Sequence, residues 1–198
     1  MDSVLASDRR YVRDTVRTAV KLLVVGHFAV GKTTFVGTLS EIRPLRTEER
    51  MTQAGALVDD LAGTPDKTTT TVAMDFGRLT LSDELVLYLF GTPGQSRFKR
   101  LWEDLARGAL GALVLVDPNR LEHSFEVMDL LETHGLTYAV AVNQFDSAPV
   151  YPLQEVREAL DLLPSTPLVT CDARDPISAT RALIALVDHL LTPGQEYA

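Results

Sequence analysis

Short aliphatic and β-branched runs alternate along this chain with amphipathic stretches, the pattern of an α/β protein built on a mostly parallel sheet. Six runs read as strands: 22–25, 72–81, 85–90, 112–116, 138–142 and 168–171. Most are apolar without interruption, as expected of strands covered on both faces. Only Ser82-Asp83-Glu84 separates the second run from the third, so these two are expected to form an antiparallel hairpin at one edge. Helical periodicity marks 32–39, 98–106, 124–134, 153–162 and 177–191. In the last of these, Ile177, Leu183, Ile184, Leu186, Val187, Leu190 and Leu191 make a broad apolar stripe. The expected architecture has three layers, with helices on both faces of a six-stranded sheet that is parallel except for one edge strand.

Two stretches fall outside this alternation. In residues 1–20, Val4, Leu5, Tyr11, Val12, Val16, Ala19 and Val20 recur at helical spacing, with Arg9, Arg10, Arg13 and Arg17 between them. Such a basic amphipathic extension reads as a helix or strap packed on its own domain. The alternative is peripheral contact with anionic lipid or a partner protein. Residues 41–70 are long, polar and broken by Pro44, Gly55, Gly63 and Pro65. A connection of that length in a compact domain is usually functional.

A length of 198 residues suits one domain with short extensions. A net charge of −8 argues against nucleic-acid binding, and one cysteine, Cys171, leaves no internal disulfide to form. No apolar run is long enough to span a bilayer. Asp2 follows Met1 and the tail 193–198 has no cysteine, so neither myristoylation nor prenylation is expected. The expectation is a cytoplasmic protein, with the inner membrane face as the alternative site if the basic extension touches lipid.

The decisive chemistry is Gly26-His27-Phe28-Ala29-Val30-Gly31-Lys32-Thr33, which matches G-x-x-x-x-G-K-[ST] between a strand and a helix. This is the phosphate loop of P-loop NTPases. Gly26 and Gly31 permit the tight turn, and the backbone N–H groups of Phe28, Ala29, Val30, Gly31, Lys32, Thr33 and Thr34 are candidate phosphate donors. Lys32 brings a point charge to the β- and γ-phosphates, the Thr33 hydroxyl is a candidate Mg²⁺ ligand, and the helix N-terminus aims its positive end at the same anion.

Four further segments extend this reading: Thr68 to Gly77, Leu89-Phe90-Gly91-Thr92-Pro93-Gly94-Gln95, Ala141-Val142-Asn143-Gln144-Phe145-Asp146 and Cys171-Asp172-Ala173-Arg174. With the phosphate loop, their order and spacing from residue 21 to about 189 resemble the Ras-like small GTPases. The resemblance is strongest to the bacterial conservon-type branch, related to the MglA-like GTPases. It implies a G domain over 21–192, preceded by the 1–20 extension and followed by a short tail, that takes GTP or GDP with Mg²⁺. Thr71, with Thr70 as alternative, matches the switch threonine that ligates Mg²⁺, which makes 41–70 the first switch loop. Gly94 matches the glycine that meets the γ-phosphate, and Gln95 the glutamine that orients the attacking water. Asp146 matches the carboxylate that accepts two hydrogen bonds from guanine. Asn143 matches the residue that braces the base loop. Asp172 and Ala173 match the loop whose N–H, at Ala173, reaches the guanine carbonyl.

Three departures carry consequences. Gly91 stands where the family has an aspartate holding a Mg²⁺-bound water; Asp75, on the neighbouring strand, is the candidate replacement. Phe28 occupies a position where many relatives have glycine, which predicts slow intrinsic turnover. Gln144 replaces the lysine whose stem covers the base. The resemblance further implies a small roadblock-fold regulator and a sensor-kinase-like protein as partners. Elsewhere the plain readings hold: His27, His123, His134 and His189 lack metal-ligand spacing, Trp102 fits a core or partner surface, and Cys171 is a small apolar residue. Asp117 caps a turn. The leading expectation is a GTP/GDP switch with slow hydrolysis. The alternative is a nucleotide-locked scaffold that scarcely hydrolyses, and an ATP-dependent kinase is disfavoured because the chain has no room for a substrate lid.

Overall fold

The computed structural model describes residues 12–44, 48–50, 69–71, 74–93, 99–146 and 148–192. Its main sheet contains β1 (Thr18–Val25), β4 (Asp75–Thr80), β5 (Leu85–Gly91), β6 (Gly111–Val116), β7 (Tyr138–Asn143) and β8 (Leu168–Cys171). They run in the order β4-β5-β1-β6-β7-β8. All neighbours are parallel except β4 and β5, which form the expected antiparallel edge hairpin around residues 82–84. Alternate residues of the central strands face opposite ways, as a pleat requires. Leu22, Val24, Leu113 and Leu115 point to one core, shared with Phe35 and Val36 of α1 (Lys32–Leu39) and Leu183 and Leu186 of α5 (Pro176–Leu191). Leu23, Val25, Val114 and Val116 point to the other. There they meet Trp102 of α2 (Lys99–Ala106), Leu131 of α3 (Phe125–Thr133) and Val156 of α4 (Leu153–Ala159). Three layers result, and Trp102 is a core residue of the second interface.

The structure corrects the sequence reading in two places. The first strand begins at Thr18, so residues 18–20, assigned above to the extension, belong to the sheet: Thr18, Ala19 and Val20 pair with Leu85, Val86 and Leu87. Helical spacing misleads there because Val16 and Val20 are also an even number apart, the strand period. The segment 12–17 then straps the hairpin turn. Thr15 donates its hydroxyl proton to the Asp83 carbonyl at 2.6 Å, Arg13 pairs with Asp83, and Arg17 lies 3.7 Å from Glu84. These two arginines thus pair within the domain, while Arg9 and Arg10 lie outside the described residues.

The second correction concerns 72–81, expected as one strand. β4 covers only Asp75–Thr80, and Thr69–Thr71 forms a separate short strand, β3, antiparallel to β2 (Glu48–Arg50). The threonine run therefore pairs with the start of the long loop and not with the main sheet. Glu41 anchors the beginning of that loop: its carboxylate accepts from Arg78 Nε at 2.8 Å and from the Thr80 hydroxyl at 2.6 Å, both on β4. No helix among the described residues is long and apolar enough to cross a membrane.

Candidate nucleotide site

Ligands of open α/β sheets sit in the crevice beyond the carboxyl ends of the strands. Here that edge collects the phosphate loop after β1, Gly91 closing β5, Asn143 closing β7 and Cys171 closing β8. The phosphate loop turns on backbone that only glycine enters readily. Gly26 has φ +139°, and a Cβ there would lie 2.3 Å from the Leu115 carbonyl oxygen. Gly31 has φ +104°, and its Cβ would lie 2.7 Å from Asn143 Nδ2. Ala29 adopts φ +65°, a left-handed conformation uncommon outside glycine.

Gly31 is also the N-cap of α1 and brings no side chain to cap that end. The first N–H groups of α1, which as in any helix have no intrahelical acceptor, face the loop with the positive end of the helix dipole. α5 shows the contrast: its N-cap Asp175 accepts from the N–H groups of Ile177 and Ser178. One helix end is closed by a carboxylate and the other is left open for an anion. Lys32 is only 8% exposed, and its ammonium donates to the carbonyls of Gly26 at 2.8 Å and His27 at 2.7 Å. The loop thus wraps its own lysine. Phe28 is buried.

The hydroxyl of Thr33 donates to Asp75 Oδ2 at 2.6 Å, and Asp75 is 2% exposed. In the β4–β5 ladder Asp75 lies directly across from Gly91, and a Cβ on Gly91 would come within 3.0 Å of Asp75 Oδ2. The Asp75 carboxylate therefore fills the space that a side chain at 91 would enter. With its proton directed at Asp75, the Thr33 oxygen keeps its lone pairs for a hard cation, and the donor set is all oxygen. These residues fit Mg²⁺. Thr33 and Thr71 are the candidates to hold it, with Asp75 fixing the Thr33 hydroxyl. Of Thr71 the structure describes the backbone in β3. Gly94 and Gln95 lie outside the described residues.

At the other end of the crevice Asn143 is buried and joins two loops. Its Nδ2 donates to the Val30 carbonyl at 2.9 Å, and its Oδ1 accepts from the Ala173 N–H at 3.0 Å. The same loop is tied to α1 by the Thr38 hydroxyl, which donates to the Ala173 carbonyl at 2.8 Å. Asn143 thus joins the two loops, and the Ala173 N–H that the resemblance directs at a base carbonyl is hydrogen-bonded to its side chain.

Arg174 is the residue that motif reading left without a role. Its guanidinium pairs with Asp146 Oδ1 through Nη1 at 2.9 Å and with Asp172 Oδ2 through Nη2 at 2.9 Å. Asp172 also accepts from the Arg174 N–H, closing an Asx-type turn, and its own N–H is held by Ser178. The hydrogen bonds from Arg174 keep the Asp172 carboxyl below the usual carboxylate range. Gln144 stands where the resemblance expects a lysine, and Arg174 brings a cation to the neighbouring loop. Arg174→Ala is expected to weaken nucleotide binding by about two- to fivefold, the scale of exposed ion pairs, measured by displacement of a fluorescent nucleotide.

Two histidines, placed far apart in sequence, meet beside the phosphate loop: the His27 and His123 ring centroids are 4.2 Å apart, edge to face. Burial, then His123 and Lys32, hold His27 below the ordinary imidazole range. Among the described residues no three His, Cys, Asp or Glu side chains are grouped to hold a metal. Cys171 is buried, and burial followed by the nearby Asp172 pushes its thiol up to about 11. It is expected to resist maleimide in the native protein and to react only on unfolding, which mass spectrometry after pulsed labelling will show.

Residues 24–193 match the family model described as "Conserved hypothetical ATP binding protein". The chain belongs to that family. A relative in Methanocaldococcus jannaschii, described as "Uncharacterized protein MJ1339", is 32% identical over 129 residues, 64% of this chain and 71% of the relative. The fold is that of a G domain: the FeoB G-domain from Methanococcus jannaschii superposes with a TM-score of 0.59, covering 88% of this chain and 99% of its own, at 13% identity. As a member of the family the chain is a P-loop nucleotide-binding protein. The family description names ATP, so the choice of base rests on the crevice itself.

Proposed function

We propose that the protein is a guanine-nucleotide switch that hydrolyses GTP slowly. One observation supports this most: Asn143 ties the phosphate loop at Val30 to the loop of Ala173, three residues before a carboxylate at Asp146. An acceptor-only group at that point suits the N1–H and exocyclic amine of guanine, whereas adenine offers no such pair of donors. Lys32 and the amides of the phosphate loop and α1 bind the polyphosphate and neutralise charge that builds on it during transfer. Thr33, held by Asp75, and Thr71 orient the metal site. Mg²⁺, when bound, screens the β- and γ-phosphate oxygens and polarises the γ-phosphoryl group. Gln95 positions water for in-line attack, and Gly94 senses the γ-phosphate. The loop 41–70 and the segment around Gln95 change with the nucleotide state and present the surface a partner reads.

The proposed partners, a roadblock-fold regulator that stimulates hydrolysis and a sensor-kinase-like protein, rest on the motif resemblance alone, since the family that matches is not the conservon-type branch. A cytoplasmic setting rests on the composition and the single cysteine. A single-turnover assay of phosphate release from GTP tests the activity. A rate on the unassisted-GTPase scale, about 10⁻⁴–10⁻² s⁻¹, that falls at least tenfold in Gln95→Ala supports the switch. No phosphate release above the buffer rate leaves the nucleotide-locked scaffold as the function.

A further inference from the structure

We propose that the outer face of α5 is the seam of a homodimer, in which two copies of this helix lie antiparallel about a twofold axis at Ile184. The inner face of α5 is consumed by the core through Ala179, Ala182, Leu183 and Leu186. Its outer face carries Ile177, Ile184 and Leu191, which are 64%, 51% and 72% exposed. They stand seven residues apart. A straight helix drifts about 20° per heptad, so the three stay on one stripe over the length of α5. Isolated exposed aliphatics are ordinary; three in register on one helix are a seam.

The residues between them indicate what covers the seam. Arg181 lies four residues after Ile177, and Asp188 four after Ile184, both exposed on the same stripe. Among the described residues neither forms an ion pair with another side chain. In an antiparallel pair centred on residue 184, position 184 + n meets position 184 − n of the other copy. Leu191 then meets Ile177, Ile184 meets itself, and Asp188 falls within one residue of Arg181. A parallel pair would oppose arginine to arginine and aspartate to aspartate. The stripe is therefore complementary to its own inverted copy in both shape and charge, as an isologous interface requires, and an unrelated partner would not impose that symmetry. One helix face offers less area than the ~1,000 Å² of a stable interface, so the dimer is weak and is sought over roughly 10–500 μM.

Sedimentation of the full chain over that concentration range tests the assignment, independently of which nucleotide binds. The wild type is expected to pass from monomer to dimer. Arg181→Glu or Asp188→Arg alone should raise the half-dimer concentration by about tenfold or more, and the two together should restore it. Cysteine scanning fixes the geometry, since native Cys171 is buried. Ile184→Cys should cross-link to itself on mild oxidation, whereas Ile177→Cys should not. A wild type that stays monomeric throughout, a dimer indifferent to the single charge reversals, or equal cross-linking at 177 and 184 would overturn it.

Discussion

Replacing Asn143 by alanine is expected to lower the melting temperature by about 4–24 °C and to weaken nucleotide binding by at least ~100-fold. The physical reason is that one buried amide satisfies two backbone groups from different loops, the Val30 carbonyl and the Ala173 N–H. Alanine leaves both inside the protein without a partner, at about 1–3 kcal/mol each. For a chain of this size, each kcal/mol shifts the midpoint by about 2–4 °C. The larger loss falls on binding, because the phosphate loop and the base loop are held in mutual register by this side chain. Aspartate at 143 is a sharper probe. It keeps an acceptor for Ala173 but cannot donate to Val30, so the phosphate end should suffer while the Ala173 bond survives. Thermal scans with and without nucleotide separate the two contributions.

The second large effect concerns the carboxylate that has changed strands. Asp75→Asn keeps the size and a possible acceptor for the Thr33 hydroxyl but removes the charge. It is expected to reduce Mg²⁺-supported nucleotide affinity by about 10–100-fold, with little change when EDTA is present. Restoring the familiar residue by Gly91→Asp should not help, because its Cβ would lie 3.0 Å from Asp75 Oδ2 and bring two carboxylates together. The exchange of both, Asp75→Gly with Gly91→Asp, should recover most of the Mg²⁺ dependence. Nucleotide dissociation rates measured with Mg²⁺ and with EDTA will show this. A Mg²⁺ dependence unchanged in Asp75→Asn would remove Asp75 from the site.

The parts legible in the sequence were those governed by local rules. Continuous apolar runs gave the central strands, and the three-residue separation of 81 from 85 gave the edge hairpin, because strand period and turn length are written in neighbouring residues. The glycine-framed loop was equally plain, since only that turn demands glycine at both Gly26 and Gly31. What escaped depends on residues distant along the chain. Thr18 joins the sheet because β5 offers it a partner at Leu85, which no window around Thr18 reveals. The run 69–71 leaves the main sheet for Glu48–Arg50, a choice made by tertiary pairing and invisible to β-propensity. Arg174 reads as an ordinary polar residue until Asp146, on another loop, is placed beside it. The position of Asp75 was within reach, because Gly91 pointed to a neighbouring strand, and the register sets the two residues opposite each other.

The account stands or falls on guanine being read at Asp146 while Lys32 holds the phosphates. The direct measurement is equilibrium competition against a fluorescent GDP, in Mg²⁺, by GTP, ITP and ATP in turn, with the wild type and Asp146→Asn. The account predicts that GTP displaces the probe at least ~100-fold better than ATP. ITP, which lacks the exocyclic amine, should fall between, and Asp146→Asn should compress the differences while triphosphate binding persists. ATP competing as well as GTP, with no effect of Asp146→Asn on their ratio, would contradict it.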